Sequence, residues 1–261
     1  MVATFLQNFL TAGQDGLQLI ATAVLPVLFP FFVLTTLILN LTTTTHPWLV
    51  TLLAYLSGYP NGARLTQNLF LQQRINIKQA QQLAIITSTP SPIFVIATAG
   101  TLFLKDLKLG CAIFICTIIA ALINGWIWRL TKTPTQTQQI TPCVHAHKER
   151  QFSKAFGDAL SSATSAIINV CGVVLFFYIC ARLLKLPPIL AGILEMTTGV
   201  AATLNPVLIQ FFVAFGGLSV AMQQQIFMQT YQVKFSTYLG YKITHGVLAC
   251  ALLSIYLLFL N

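Results

Sequence analysis

Long apolar runs separated by short polar stretches dominate the chain. A run of about 20 apolar residues is what a helix needs to cross the hydrocarbon core of a bilayer. Because Asp15 stands just before the first run and no Lys or Arg precedes it, that run is predicted to be a retained span and not a cleaved signal peptide. The pattern predicts these spans: Leu17–Leu41, Gln82–Leu104, Leu109–Leu130, Phe156–Leu183, Pro206–Met222 and Thr237–Leu260.

Other apolar segments are too short to cross. Pro47–Leu56 stops at the turn-forming residues 57–62, and a second short piece, Ala63–Leu71, follows. Each piece rises only about 15 Å as a helix, half the thickness of a bilayer. Pro188–Met196, followed by residues 197–199, repeats the arrangement in the second half. Short segments interrupted by Gly and Pro at corresponding places of two halves indicate re-entrant hairpins beside a midplane site.

The two predicted hairpins have the same spacing between their first proline and a later glycine. Gly58 lies 11 positions after Pro47, and Gly199 lies 11 positions after Pro188. After each hairpin an apolar run is broken in its interior, and each half then closes with a Leu-Gly pair and a further apolar run. We therefore expect an internal repeat. The predicted units are a first membrane repeat (1–130), a cytoplasmic linker (131–155) and a second membrane repeat (156–261).

Composition agrees with a membrane protein and excludes a soluble domain. The 261 residues are 56% hydrophobic and 7% charged, with a mean hydropathy of +0.78, whereas soluble domains carry about 25% charged residues. The net charge of +9 is spread between apolar runs, without a basic stripe carrying interleaved aromatic residues. Topology explains it better than a nucleic-acid partner does, since Lys and Arg gather on the cytoplasmic side of membrane proteins.

Basic residues concentrate in the connections 72–81 and 131–155, which the positive-inside rule places in the cytoplasm. If the short segments are re-entrant, each half has three crossings and the halves are inverted. If they span, each half has four crossings and the halves are parallel. Lys234 and Lys242 favour the inverted arrangement with both termini outside, in which Lys242 would extend to the cytoplasmic surface.

The predicted fold class is therefore an all-α polytopic membrane protein. It consists of two inverted repeats, each with three spanning helices, one re-entrant helical hairpin and a broken helix at the midplane.

Glu195 is the strongest candidate functional residue. It lies at the end of a short apolar half-helix, far from any basic loop. A carboxylate near the bilayer centre costs on the order of 3 kcal/mol on insertion scales. Beside it, Thr197, Thr198 and Gly199 offer hydroxyl groups and a freely bending backbone to a ligand or cation. The alternative is a carboxylate at an interface, solvated or paired with a neighbour.

Arg64 is the natural counterpart of Glu195, because its guanidinium group can hold a carboxylate or a phosphate in two hydrogen bonds. It could equally extend to the cytoplasmic surface, or form an ion pair with Glu195 between the repeats. The remaining candidate binding residues belong to the hairpin tips and the breaks. They are Gly58, Tyr59, Asn61, Gly62, Thr89, Ser91, Gly217 and Ser219.

Histidine and cysteine residues give weaker signals. His245 lies within the last apolar run and is better explained by a hydrogen bond to a neighbouring helix than by proton transfer. Cys143, His145 and His147 resemble part of a metal site but lack a fourth ligand. We expect no metal site and no cofactor other than a coupling ion, Na⁺ or H⁺.

Four segments in order carry a resemblance to a known family. They are Ser-Gly-Tyr-Pro-Asn-Gly-Ala-Arg-Leu (57–65), Ser-Thr-Pro-Ser-Pro-Ile-Phe (88–94), Leu-Glu-Met-Thr-Thr-Gly (194–199) and Phe-Gly-Gly-Leu-Ser-Val (215–220). Over residues 15–255 the chain resembles YlbJ-type sporulation integral membrane proteins, which are grouped with the nucleoside-recognition, or Gate-domain, membrane proteins. The resemblance implies a multi-pass protein of the bacterial cell membrane, related in architecture to concentrative nucleoside transporters.

Three functions follow as hypotheses. The first is a secondary transporter of a small polar solute, nucleoside-like or an organic anion, in which Glu195 binds the solute or a coupling cation. The second is a non-transporting membrane factor of envelope or sporulation assembly. A membrane-embedded enzyme is the least supported, because a single deeply placed carboxylate and no catalytic motif are evident. The expected partners are the lipid bilayer, a small molecule and further copies of the chain.

Overall fold

The computed structural model describes residues 2–42, 47–131 and 151–259, and the regular structure in these segments is helical. The linker residues 132–150, and with them Cys143, His145 and His147, lie outside the described residues. The chain has the helical, polytopic character that its apolar runs predict.

The first half begins with a bent pair of helices. α1 (Val2–Leu19) continues through a π-helical turn (Ile20–Val24) into α2 (Leu25–Leu41), with a bend of 46° between the two. The sequence pattern began this span only at Leu17, so the polar residues of α1 were missed. The elements that follow are α3 (Pro47–Ser57), α4 (Asn61–Leu71), α5 (Ile77–Ile86), a π-helical segment (Ile93–Phe103) and α6 (Leu107–Thr131).

The second half repeats this order of long and short elements. A long helix comes first, two short helices follow, and a helix interrupted by glycines leads to the last long helix. These elements are α7 (Phe152–Leu183), α8 (Pro188–Leu194), α9 (Met196–Ala201), α10 (Pro206–Phe215), α11 (Gly217–Met228), a 3₁₀ turn (Gln229–Tyr231) and α12 (Phe235–Leu258).

Four segments are long and apolar enough to cross a membrane, or five if the bent pair α1–α2 counts as one span. The four are Leu107–Trp128, Phe152–Leu183, Pro206–Tyr231 and Phe235–Leu258. The predicted apolar run Gln82–Leu104 consists of two helical pieces, because α5 ends at Ile86 and the π-helical segment begins only at Ile93. The break expected at residues 88–92 separates the two pieces.

The short helices occur where the interrupted apolar segments predicted them. α3 and α4 are joined at Gly58–Pro60, and α8 and α9 are joined at Glu195. We call α3–α4 hairpin 1 and α8–α9 hairpin 2. In hairpin 2 the two arms cross closely, since a Cβ on Gly192 would lie 2.7 Å from the Cα of Gly199.

Two buried clusters hold the helices together. The first includes Phe32 of α2, Leu65 of α4 and Val170 of α7. The second includes Val95 of the π-helical segment, and it also contains Tyr59 and residues of α9, α10 and α12. Tyr59 therefore lies in a core to which both halves of the chain contribute, with residues of the π-helical segment and α6 beside those of α9, α10 and α12. This position brings the tip of hairpin 1 against the second hairpin and the second break.

Candidate functional site

The tip of hairpin 1 packs directly on the first break. The backbone N–H of Tyr59 donates to the carbonyl oxygen of Thr89 at 2.7 Å. Gly58 has a φ of +74°, and a Cβ there would overlap the backbone nitrogen of Ser91. Only glycine combines this conformation with such a close approach. Gly62 lies equally close to Thr87, so two predicted glycines shape the contact.

Prolines explain the first break. In a continuous helix the carbonyl oxygens of Ile86 and Ser88 would accept from the residues four positions later, but these are Pro90 and Pro92, which have no N–H. Both carbonyl groups receive a hydrogen-bond donor from another part of the fold. The Tyr55 hydroxyl donates to Ile86 at 3.4 Å, and the Lys242 ammonium group donates to Ser88 at 2.9 Å.

Glu195 forms the tip of hairpin 2, where its backbone is extended (φ −140°, ψ 116°), and its side chain caps α9. One carboxylate oxygen, Oε2, accepts from the Thr198 backbone N–H at 2.8 Å and from the Thr198 hydroxyl at 3.0 Å. The Thr197 hydroxyl donates to the same oxygen. The side chain is 4% exposed, and its other oxygen, Oε1, receives no hydrogen bond from the described residues.

The second break is made by two glycines in the left-handed region. Gly216 ends α10 with a φ of +84°, and Gly217 begins α11 with a φ of +77°. Gly217 faces the tip of hairpin 2, since a Cβ there would lie 3.1 Å from the Met196 nitrogen and 3.2 Å from the Leu194 oxygen. Each hairpin tip therefore meets the break that follows it in the chain.

Tyr59 joins the two halves of the site. Its hydroxyl contacts the Met196 sulfur of hairpin 2 and lies 3.4 Å from the Val213 carbonyl oxygen in the last turn of α10. The Lys242 ammonium group lies over its ring, 5.5 Å from the centroid. One side chain thus touches both tips, the second break and a buried cation. We call this meeting point, residues 58–59, 88–91, 195–196 and 216–217 with Lys242, the tip junction.

The position of Lys242 corrects the sequence prediction. Its side chain is fully buried and does not extend to the cytoplasmic surface. The preceding turn of α12 supplies Tyr238, whose hydroxyl pairs with Ser88 Oγ at 2.7 Å. The Gln224 amide nitrogen donates to Ser88 Oγ at 2.5 Å and to the Tyr238 hydroxyl at 2.6 Å. Sequence reasoning did not assign Lys242, Tyr238 or Gln224 to the site, although a lysine inside an apolar run was a usable signal.

Two buried polar atoms beside the first break have no hydrogen-bond partner in the described chain. They are the hydroxyl oxygen of Thr89 and the amide oxygen of Gln224. Native proteins pair nearly all such atoms. Unpaired donors and acceptors around a buried carboxylate and a buried ammonium group are therefore suited to a polar ligand.

A second group of polar residues lies on α6, α10 and α12. His245 is fully buried, and its Nε2 lies 3.0 Å from the Thr117 carbonyl oxygen. The predicted hydrogen bond from His245 to a neighbouring helix is thus present. The Gln210 amide donates to the Thr117 hydroxyl at 2.8 Å. His245 Nδ1 and Gln210 Oε1 are unpaired among the described residues.

Arg64 is not brought to Glu195. Its Nη2 donates to the Phe32 carbonyl oxygen at 2.7 Å and to the Thr36 hydroxyl at 2.6 Å, both on α2. Its Nη1 donates to Ser162 on α7 at 3.2 Å. The ion pair found in the described segments joins Arg182 to Asp15, so the suggested pair between Arg64 and Glu195 is absent there.

The other predicted residues divide between these environments. Asn61 accepts from Arg64 and donates to Ser57 and to Thr35, which places it with the Arg64 contacts. Ser219 accepts from Gln223 in the first turns of α11. Gly199 lies in the crossing of the hairpin 2 arms. The structure thus brings Gly58, Tyr59, Thr89, Ser91, Glu195 and Gly217 to the tip junction.

These features define a multi-pass helical membrane protein in which two short-helix hairpins and two interrupted helices meet on buried polar groups. The chain is similar to the sporulation integral membrane protein YlbJ of Bacillus subtilis (strain 168). The two are 22% identical over an alignment of 305 positions, covering 91% of this chain and 75% of the relative. The resemblance to YlbJ-type proteins is confirmed. No family model matches the chain, and no solved structure gives a significant match.

Proposed function

We propose that the protein is a secondary transporter that binds a small polar solute at the tip junction and works by alternating access. The observation that supports this proposal is the position of Tyr59. From the tip of hairpin 1, its side chain contacts the tip of hairpin 2, the second break and Lys242. Transporters with broken helices bind their solute where two repeats meet, using the free backbone groups of those helices. The solute class we propose is nucleoside-like or an organic anion.

The charges of the tip junction support this proposal. Glu195 holds one oxygen with three donors and leaves the other without a donor from the described chain. The bound oxygen fixes the orientation of the carboxylate, and the second oxygen can accept from a solute hydroxyl or amine or bind a coupling cation. Thr89 and Gln224 offer unpaired oxygens at the first break.

The contacts between tips and breaks are suited to opening. Gly58 touches Ser91, and Gly217 touches the backbone of residues 194–196, so backbone meets backbone at both places. Separating such a contact exposes polar groups that water can satisfy. We propose that the halves are inverted and that each tip and its break form a gate on one side of the site.

Glu195→Gln is the direct test. The amide keeps the size of the side chain but removes the charge, and we expect uptake to fall at least tenfold while membrane insertion is unchanged. Purified protein would first be screened by thermal shift against nucleosides and small carboxylic acids. The compound with the largest shift would then be used, radiolabelled, in proteoliposome uptake.

Asp158→Asn is the matched control, because Asp158 is exposed on α7 and has the same charge. We expect wild-type uptake from this variant. Equal uptake by wild type and Glu195→Gln would contradict the assignment of Glu195, and no uptake of any shifting compound by the wild type would contradict the transporter proposal.

The second candidate is a non-transporting membrane factor in sporulation or envelope assembly. The printed name of the relative, a sporulation integral membrane protein, favours it. On this proposal the 131–155 linker binds a partner protein, so deleting it abolishes co-purification of the partner while Glu195→Gln has no effect.

A further inference from the structure

Lys242 is a buried cation without a carboxylate partner in the described chain. Its side chain has no exposed surface, and the ion pair found among the described residues is that of Arg182 and Asp15. Its contacts are the Ser88 carbonyl oxygen at 2.9 Å and the face of the Tyr59 ring. Both contacts attract positive charge, the first as a dipole and the second through the ring quadrupole.

The neighbouring titratable side chains do not supply a counter-charge. Tyr59 and Tyr238 are neutral phenols near pH 7, and His245, one turn later on α12, is a base. Glu195, at the tip of hairpin 2, directs one oxygen to Thr197 and Thr198 and forms no ion pair with Lys242 in the described chain. Lys242 is therefore held by neutral groups, and a buried ammonium group in that position costs free energy that an apolar side chain would not.

The place that Lys242 occupies has a known use in broken-helix transporters. α5 ends at Ile86. Pro90 and Pro92 remove the helical donors for the carbonyl oxygens of Ile86, at that end, and of Ser88, in the unwound break. The carbonyl end of a half-helix carries partial negative charge. In discontinuous transporter helices, such ends and the unwound backbone carbonyl groups beside them coordinate the coupling cation, Na⁺ or H⁺.

We propose that the ammonium group of Lys242 fills the cation position at the first helix break, so that the protein has no Na⁺ site there. The inference deepens the proposed function. It rests on that function in one respect, the interpretation of the first break as an ion position. The cation is covalently part of α12, so it cannot leave during a transport cycle. α12 is thereby linked to the first break and, through Tyr59, to both hairpin tips.

The experiment measures the melting temperature of the purified protein in NaCl, KCl and choline chloride at equal ionic strength. We expect Lys242→Ala to melt lower than wild type in choline chloride, because the Ser88 carbonyl oxygen loses its donor. The alanine also leaves space beside that oxygen. Na⁺ should then bind and raise the melting temperature of Lys242→Ala by about 3 °C more than that of wild type.

Two variants serve as controls. Lys242→Arg keeps a positive charge and should respond to Na⁺ as wild type does. Lys234→Ala removes an exposed lysine at the start of α12 and should leave the melting temperature independent of the cation. If Lys242→Ala is too unstable to purify, Lys242→Gln replaces it with the same expected result.

A Na⁺ response of the neutral variant that does not exceed that of wild type overturns the inference. So does a Na⁺ response of Lys242→Arg equal to that of Lys242→Ala. These measurements need no substrate and no transport. Their failure is therefore distinct from failure of the uptake test on Glu195→Gln, which concerns the transporter proposal.

Discussion

At the scale of single residues, the tip of hairpin 1 depends on conformation as much as on chemistry. Gly58 turns the chain with a positive φ, and this turn places the Tyr59 N–H on the Thr89 carbonyl oxygen. Tyr59 then reaches residues more than 130 positions away, among them Met196 and Lys242. One glycine thus decides whether the two halves of the tip junction meet.

Gly58→Ala should therefore be strongly destabilising. A non-glycine residue in the left-handed region costs about 1–2 kcal/mol, and its Cβ would in addition overlap the Ser91 backbone. Gly157→Ala is the control, since nothing lies within 4 Å of a Cβ there on α7. Alanine at this helical position should raise the free energy of unfolding by up to about 1 kcal/mol.

Thermal melting of both variants in detergent checks this prediction. Equal melting temperatures for Gly58→Ala and wild type would show that the tip of hairpin 1 does not pack on the first break as the structure has it.

At the scale of helices, Arg64 connects three of them. Its guanidinium group lies on α4, donates to two oxygens of α2 and one of α7, and packs over the Phe32 ring at 4.6 Å from the centroid. A planar group with donors in several directions can make these contacts at once. This explains why a charged residue beside the first tip is buried without a carboxylate partner among the residues that the structure describes.

Arg64→Lys should lower the free energy of unfolding by about 2–3 kcal/mol, because the point-like ammonium group of lysine cannot reach all these oxygens and hydrogen bonds to charged groups are strong. The control is Arg182→Lys. Arg182 pairs with Asp15 in an exposed ion pair, so this change should cost less than about 1 kcal/mol.

Thermal melting compares the two variants. The charge exchange Arg64→Glu with Glu195→Arg should not restore expression lost in Arg64→Glu. Recovery by the double variant would show that these two side chains do form a pair.

At the scale of the whole molecule, the charged connections and the short hairpins together predict the topology. The basic connection 72–81 and the linker 131–155 lie in the cytoplasm if the positive-inside rule holds. Re-entrant hairpins then leave each half with three crossings and place both termini outside.

Reporter fusions at residues 1 and 261 should accordingly report the external side. A reporter inserted in the linker should report the cytoplasm, which controls for correct insertion. A cytoplasmic signal from either terminus would favour spanning hairpins and parallel halves.

The sequence by itself determined the helical membrane class, the positions of the short hairpin helices and the two breaks. These follow from local causes, because the length of an apolar run decides whether a helix can span, and Pro and Gly interrupt a helix wherever they occur. The same local reasoning failed at the polar start of α1, which the apolar pattern did not mark as helix.

Only the tertiary structure decided the partners of the charged side chains. Arg64 was directed to α2 and α7, Lys242 to the first break, and Glu195 to its own hairpin. The partners of Arg64 on α2 and α7 lie 28 to 98 positions away along the chain, and the hydrogen-bond partner of Lys242 lies 154 positions away. No periodic pattern connects residues at such separations. A buried charged group pairs with the polar groups that the packed helices place beside it, and this packing depends on the whole fold.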